Sequence, residues 1–249
     1  MNGCISIDRI LEKLDEYLHK NDYVSAERHL KYWLEEATSN NDLKTELLIR
    51  NELMGLYRKL CKRQEAIECA TLALDKIYTF NISHQVGAAT TFLNCATVYK
   101  AFGMAEKALP LFEKAKEVYE KELDITDIRL GGLYNNMALA LVDLKEFSAA
   151  NELYKKAILI MQNSKNGALE VAITYLNMAN AAEAELGALE AEETILRYLD
   201  KAEKLIDEYH NKDGYYAFVC EKCSSVFGYY GRFVFANELV ERARRIYGQ

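Results

Sequence analysis

Proline is almost missing from this chain. One residue in 249 is proline, where an ordinary composition of about 5% would place roughly twelve. Glycine stands at 12. Collagen-like, proline-rich and loop-heavy β architectures are thereby excluded, since their turns depend on these two residues. A chain with so few breakers can run as helix over most of its length. No apolar run approaches the ~18 residues of a membrane span. The N-terminus, Met-Asn-Gly-Cys-Ile-Ser-Ile-Asp-Arg, lacks the basic start and apolar stretch of a signal peptide. Asn2 stands where myristoylation needs glycine. The expectation is a cytoplasmic protein. Catalytic signatures are missing as well: no G-x-G-x-x-G, no Walker loop, no G-x-S-x-G and no H-E-x-x-H. The four histidines, His19, His29, His84 and His210, lie far apart. No catalytic residue, metal site or cofactor is assigned.

What is present is apolar content of 50% and aromatic content of 11%, which exclude intrinsic disorder and leave a sizeable core to bury. The net charge of −7 argues against broad nucleic-acid binding, which needs a basic surface. The single basic cluster, Arg242, Arg244 and Arg245, reads as a solvated last-turn face that suits a helix C-terminus. The six cysteines, Cys4, Cys61, Cys69, Cys95, Cys220 and Cys223, do not form the dense framework of a small secreted domain. Reduced thiols are expected.

Self-similarity runs through the chain. Ala96, Ala108 and Ala115 recur as Ala138, Ala150 and Ala157 at a shift of 42, and Phe92 and Phe112 recur as Tyr134 and Tyr154. Tyr57, Ala66 and Ala73 lie 42 residues before Tyr99, Ala108 and Ala115. Tyr17 and Ala26 lie 40 before Tyr57 and Ala66. Tyr175, Met178 and Ala179 follow Tyr134, Met137 and Ala138 by 41. Ala202 answers Ala157 after a further displacement of four, which a one-turn lengthening near residues 186–193 explains. Ala236 and Ala243 close a sixth unit. A period of this size is the mark of a repeat architecture.

Each unit reads as two amphipathic helices with apolar positions at three- and four-residue steps. Caps and breakers cluster in the links: 38–42, 81–83, 124–127, 163–167 and 211–214. Helices are predicted at 5–20, 22–38, 43–60, 63–79, 84–102, 104–123, 127–144, 147–163, 168–186, 189–210, 214–230 and 233–247. The fold class is all-α, with one domain over 1–249 and repeats at 5–38, 43–79, 84–123, 127–163, 168–210 and 214–247. Pro110 falls inside a predicted helix, where it reads as a tolerated early-helix proline.

Phe92, Ala96, Tyr99, Ala108, Phe112 and Ala115 carry a pattern that resembles the tetratricopeptide repeat. Tyr134, Ala138, Ala150, Tyr154 and Ala157 repeat it. The spacing departs from the usual ~34 residues and is similar to the longer variant seen in kinesin light chains and in bacterial peptide-sensing regulators. The helix-closing proline of the family is missing from every unit. The resemblance covers almost the whole chain and is weakest in the first unit. It implies a right-handed solenoid, helix A of each unit on the concave face and helix B on the convex face. It also implies a binding protein for peptides or protein segments rather than an enzyme.

The register then assigns candidate contacts. Asn94, Asn136 and Asn177 share one position on successive helices A, with Asn135 and Asn180 flanking them. Asparagine is a poor mid-helix residue, so a column of three suggests a use. Either the amides hold a peptide backbone, as the resemblance implies, or they form a ladder between neighbouring helices. The same register offers Asn51, Glu52, Gly55, Arg58 and Lys59, then Thr90, Leu93, Thr97 and Lys100, then Leu139 and Asp143. It continues with Ile173 and Glu183, then Glu221, Lys222, Ser225 and Tyr229. Arg58, Lys100 and Lys222 could hold a carboxylate, but they are spread over three units. Cys220 and Cys223 form a C-x-x-C, yet they align with Phe92 and Cys95, which are packing positions. A zinc site would need two further ligands, and no second C-x-x-C or nearby histidine pair exists, so a metal or redox protein using Cys220 and Cys223 is the third and least favoured reading. On the last helix Phe235, Leu239 and Ile246 are expected to leave apolar surface open to self-association or a partner. The first expectation is a scaffold for a protein or peptide partner, without nucleic acid or membrane. The alternative is the peptide-sensing part of a bacterial regulator, although no DNA-binding helix-turn-helix is found.

Overall fold

The computed structural model describes residues 6–165 and 167–248. Met1, Asn2, Cys4, the start of the first predicted helix at residue 5, and Asn166 of the fourth inter-repeat link lie outside the described residues. Twelve helices and no strand are found among the described residues. They are α1 (Ile7–His19), α2 (Tyr23–Ser39), α3 (Leu43–Lys59), α4 (Arg63–Thr79), α5 (Val86–Ala101) and α6 (Ala105–Glu122). They continue with α7 (Ile128–Asp143), α8 (Phe147–Met161), α9 (Gly167–Leu186), α10 (Glu192–Asp207), α11 (Gly214–Tyr229) and α12 (Phe233–Tyr247). Every end lies within three residues of the sequence expectation. Among the described residues, no helix is long and apolar enough to cross a membrane.

The chain forms two compact units, Met1–Glu122 and Leu123–Gln249. In the first, α2 packs on α1 and α3, α4 on α3 and α5, and α6 on α5, while α3 and α5 also touch directly. In the second, α8 packs on α7 and α9, α10 on α9, and α12 on α11, and α9 touches both α7 and α11. Within the first unit α3 thus neighbours α5, within the second α9 neighbours α7 and α11, and each even-numbered helix packs on the helix that precedes it.

The links between paired helices share one geometry. A left-handed residue follows each odd-numbered helix: Asn21, Cys61, Gly103, Lys145, Gly187 and Gly231. In five of these six links the same two bonds close the helix. In the first, the Asp22 N–H donates to Tyr17 O at 2.9 Å and the Asn21 N–H donates to Leu18 O at 3.0 Å. This satisfies two carbonyls that the helix end would otherwise leave open. The fifth link differs. The Gly187 N–H donates to Glu183 O at 2.8 Å, and the helix resumes only at Glu192. The extra residues inferred near 186–193 therefore lie in the link 187–191. Asp42, Asp127 and Asp213 cap α3, α7 and α11 by accepting from Thr45, Arg129 and Tyr216 N–H groups.

Small residues let these helices close on one another. Ala96, Ala108, Ala115, Ala138, Ala150, Ala157 and Ala179 are fully buried. Phe92, Phe112 and Tyr154 fill the space beside them. A lysine of the even-numbered helix lies over an aromatic ring of its partner: Lys114 over Phe92 at 5.7 Å, Lys156 over Tyr134 at 5.8 Å and Lys201 over Tyr175 at 5.1 Å. The helix α6 runs through Pro110, whose ring is exposed.

Two expectations for the last repeat are corrected. Phe235 and Leu239 are buried, because α12 turns them into the core of the second unit, where Phe235 meets Phe227 edge-on at 4.8 Å. The outer side of α12 instead exposes Asn237, Glu238, Glu241, Arg244 and Arg245, and its exposed apolar side chains are Phe233 and Val234 in the first turn. Nor is Arg242 a simply solvated cation. It pairs with Asp207 at 2.7 Å and donates to the Tyr216 hydroxyl oxygen at 3.0 Å.

Candidate binding surface

In the first unit, α3 and α5 present a partly buried polar face. The Asn51 side-chain N–H donates to Thr91 Oγ1 at 3.2 Å, which ties the two helices together. The other end of that amide, Asn51 Oδ1, is buried without a hydrogen-bond partner, and so is Arg58 Nε two turns further along α3. Burial holds the Arg58 guanidinium below its usual range and the Glu52 carboxyl above its own, with Asp15 adding to the second effect. Lys100 occupies on α5 the place that Arg58 occupies on α3, 42 residues earlier. Asn94 is half-buried on α5. Thr90 does not belong to this face. Its Oγ1 lies 2.7 Å from the Tyr119 hydroxyl on α6, and the neighbouring Thr91 is the residue turned toward α3.

In the second unit the corresponding face is built on α7, α9 and α11. Asn177 donates to Asn135 Oδ1 at 3.1 Å, a rung between α9 and α7. Asn136 turns back on its own helix and donates to Gly132 O at 2.8 Å. Ile173 is buried in the core rather than exposed on this face. At the far end of α9, Glu183 accepts from the Tyr229 hydroxyl at 2.9 Å and from the Tyr230 hydroxyl at 2.8 Å. Tyr230 also reaches Asn180 Oδ1 at 3.0 Å. Burial and the bond to Glu183 raise the Tyr230 phenol above its ordinary range. Lys222 is exposed on α11, in the second unit, whereas Arg58 and Lys100 lie in the first. Tyr230 and Thr91 were absent from the sequence-based set. The only signal for Tyr230 was an aromatic one repeat beyond Glu183 and Asn180.

Cys220 and Cys223 lie in the core of the second unit at 0% and 1% exposure. Burial pushes Cys223 up to about 12 and raises Cys220 as well. A thiol that acts as nucleophile or metal ligand needs the opposite shift. Among the described residues, no group of three His, Cys, Asp or Glu gathers as a metal site would require.

No family model and no curated protein sequence matches the chain. Solved structures do. BtubC (BKLC) from P. vanneervenii superposes with a TM-score of 0.67 at 21% identity, over 82% of each chain. The kinesin light chain-type protein of Podosopora anserina, with nearly identical TPR-like repeats, superposes with a TM-score of 0.56 at 17% identity. That match covers 82% of this chain and 95% of the other. The chain has the TPR-like repeat fold. In its terms, the odd-numbered helices are helices A, the even-numbered ones helices B, and the polar face described above is the A-helix face of each TPR-like unit.

Proposed function

We propose that the chain is a non-enzymatic scaffold that holds a peptide or protein segment against the A-helix face of its TPR-like repeats. One observation carries this: Asn51 Oδ1 and Arg58 Nε are both buried on α3 and both lack a partner among the described residues. Leaving a buried polar atom unsatisfied costs about 1–3 kcal/mol. An acceptor and a donor seven residues apart on one helix are separated by about 10 Å along its axis, the span of about three residues of extended chain. Both residues are only partly buried, so a bound segment that drew these side chains outward would satisfy them with an amide N–H at one place and a carbonyl or carboxylate at the other. Asn94 and Lys100 extend this contact set in the first unit. In the second unit, Asn135, Asn136, Asn177, Asn180, Lys222 and Tyr229 form the corresponding set. A cytoplasmic setting is part of the same proposal, supported by Cys61, Cys69, Cys95, Cys220 and Cys223, all free thiols.

Capture of partners from the source organism with the whole chain as bait tests the proposal. Arg58→Gln is expected to weaken capture about tenfold, the loss of one charged hydrogen bond, with little change in melting temperature. Full retention of every partner by Arg58→Gln and by Asn136→Ala would overturn the assignment of this face.

A further inference from the structure

We propose that the edge of the second unit where α9 and α11 end docks a basic segment of a partner protein, with a lysine or arginine entering between the Glu183 carboxylate and the Tyr229 ring. This rests on the scaffold function proposed above and names the partner's chemistry at one part of that surface. Asn180, Glu183, Ser225, Val226 and Tyr229 line a depression there. The hydroxyl hydrogens of Tyr229 and Tyr230 are committed to Glu183. What remains is acceptor capacity, on the carboxylate and on the Asn180 amide oxygen, beside the face of an aromatic ring that is 69% exposed. That combination suits a cation, which a carboxylate attracts directly and a tyrosine ring attracts through its quadrupole.

The surroundings carry the same sign. Residues 183–193 include Glu183, Glu185, Glu190, Glu192 and Glu193 and no lysine or arginine. None of these five carboxylates forms an ion pair among the described residues. Arg232, which follows α11, is taken by Asp200 at 2.6 Å and Glu203 at 3.5 Å. Lys222 lies two turns back along α11, about 10 Å from Tyr229 along the helix axis. A basic segment would be drawn to this edge and an acidic one repelled.

The apolar side of the partner follows from what is exposed beside the depression. The bonds from Tyr229 and Tyr230 to Glu183 hold the ends of α11 and α9 together. Close in sequence to these helix ends, Leu186 at the end of α9 is 53% exposed, Leu189 in the following link 85%, and Phe233 and Val234 in the first turn of α12 66% and 84%. An amphipathic segment with apolar residues beside its basic ones fits both properties.

Calorimetric titration of the whole chain with two synthetic peptides of equal length and identical leucine pattern tests the proposal. One carries lysine at every charged position and the other glutamate. The lysine peptide is expected to bind, more weakly as salt rises, and to lose about tenfold in affinity with Glu183→Gln and with Tyr229→Ala. Glu152→Gln, which removes an exposed charge on α8, is expected to leave binding unchanged. Tyr229→Phe keeps the ring and serves as the second variant should Tyr229→Ala lose helicity; it is expected to retain most of the affinity. No binding of the lysine peptide, or equal loss with Glu152→Gln and Glu183→Gln, overturns the proposal. Binding of the glutamate peptide alone overturns the basic partner while leaving the scaffold function standing, and that function fails separately in the capture experiment with Arg58→Gln.

Discussion

Glu52 shows how much a single residue's surroundings decide. It lies largely buried on α3, and desolvation holds its carboxyl above the ordinary carboxylate range, with Asp15 adding a smaller repulsion. The folded state therefore favours the protonated form. The stability this contributes is fully present below the unfolded-state value near 4.5 and is lost as pH rises through the folded-state value. Glu52→Gln keeps the shape and removes the charge. Its melting temperature is expected to exceed that of the parent at pH 7 and to meet it near pH 4, a comparison that calorimetry reads directly. The side-chain type and the register position of Glu52 were legible in the sequence; its degree of burial was not. The same holds for the asparagines. The column Asn94, Asn136 and Asn177 was visible as a repeat. That Asn177 bonds to Asn135, while Asn136 turns to Gly132, depends on rotamers set by neighbours 42 and four residues away.

At the scale of the element, the closing turns carry a testable asymmetry. Gly103 and Lys145 sit at equivalent places after α5 and α7, both left-handed, at φ 75° and 64°. A side chain in this conformation costs about 1 kcal/mol relative to glycine. Nothing lies within 4 Å of a Cβ built on Gly103, so the backbone is the only source of strain there. Lys145→Gly is expected to stabilise the fold by about 1 kcal/mol, and Gly103→Ala to destabilise it by a similar amount. Urea unfolding followed by circular dichroism measures both. Helix positions were legible because three- and four-residue apolar spacing continues through each helix and capping residues stop it. The shared turn was not legible, since Asn, Cys, Gly and Lys fill the same place and only the backbone angle unites them.

For the whole molecule, the packing order sets where the fold opens first. Within its unit α1 packs on α2, whereas α9 packs on α7, α8, α10 and α11. Stability in a repeat stack is a sum over neighbours, and local opening follows the number of partners lost. Amide hydrogen exchange is expected to be slowest in α9 among the helices of the second unit, and fastest in α1 among those of the first. Equal protection of α9 and α12 would count against nearest-neighbour stability within the second unit.

The sequence by itself determined the helices, their pairing and their period, because these rest on local spacing and on small and aromatic residues that recur at a constant shift. It also pointed to the polar face, through residues such as Asn177 and Arg58 that helix interiors disfavour or that charge keeps near water. Tertiary structure alone decided which polar atoms are satisfied. Phe235 was placed inside by the packing of α12 on α11, and Glu183 was joined to Tyr229 and Tyr230 by the meeting of two helix ends. Asn51 and Arg58 were left with unfilled bonds by the approach of neighbouring helices. Hydrogen bonding acts over about 3 Å, so it is set by the final position of each helix and not by any spacing along the chain.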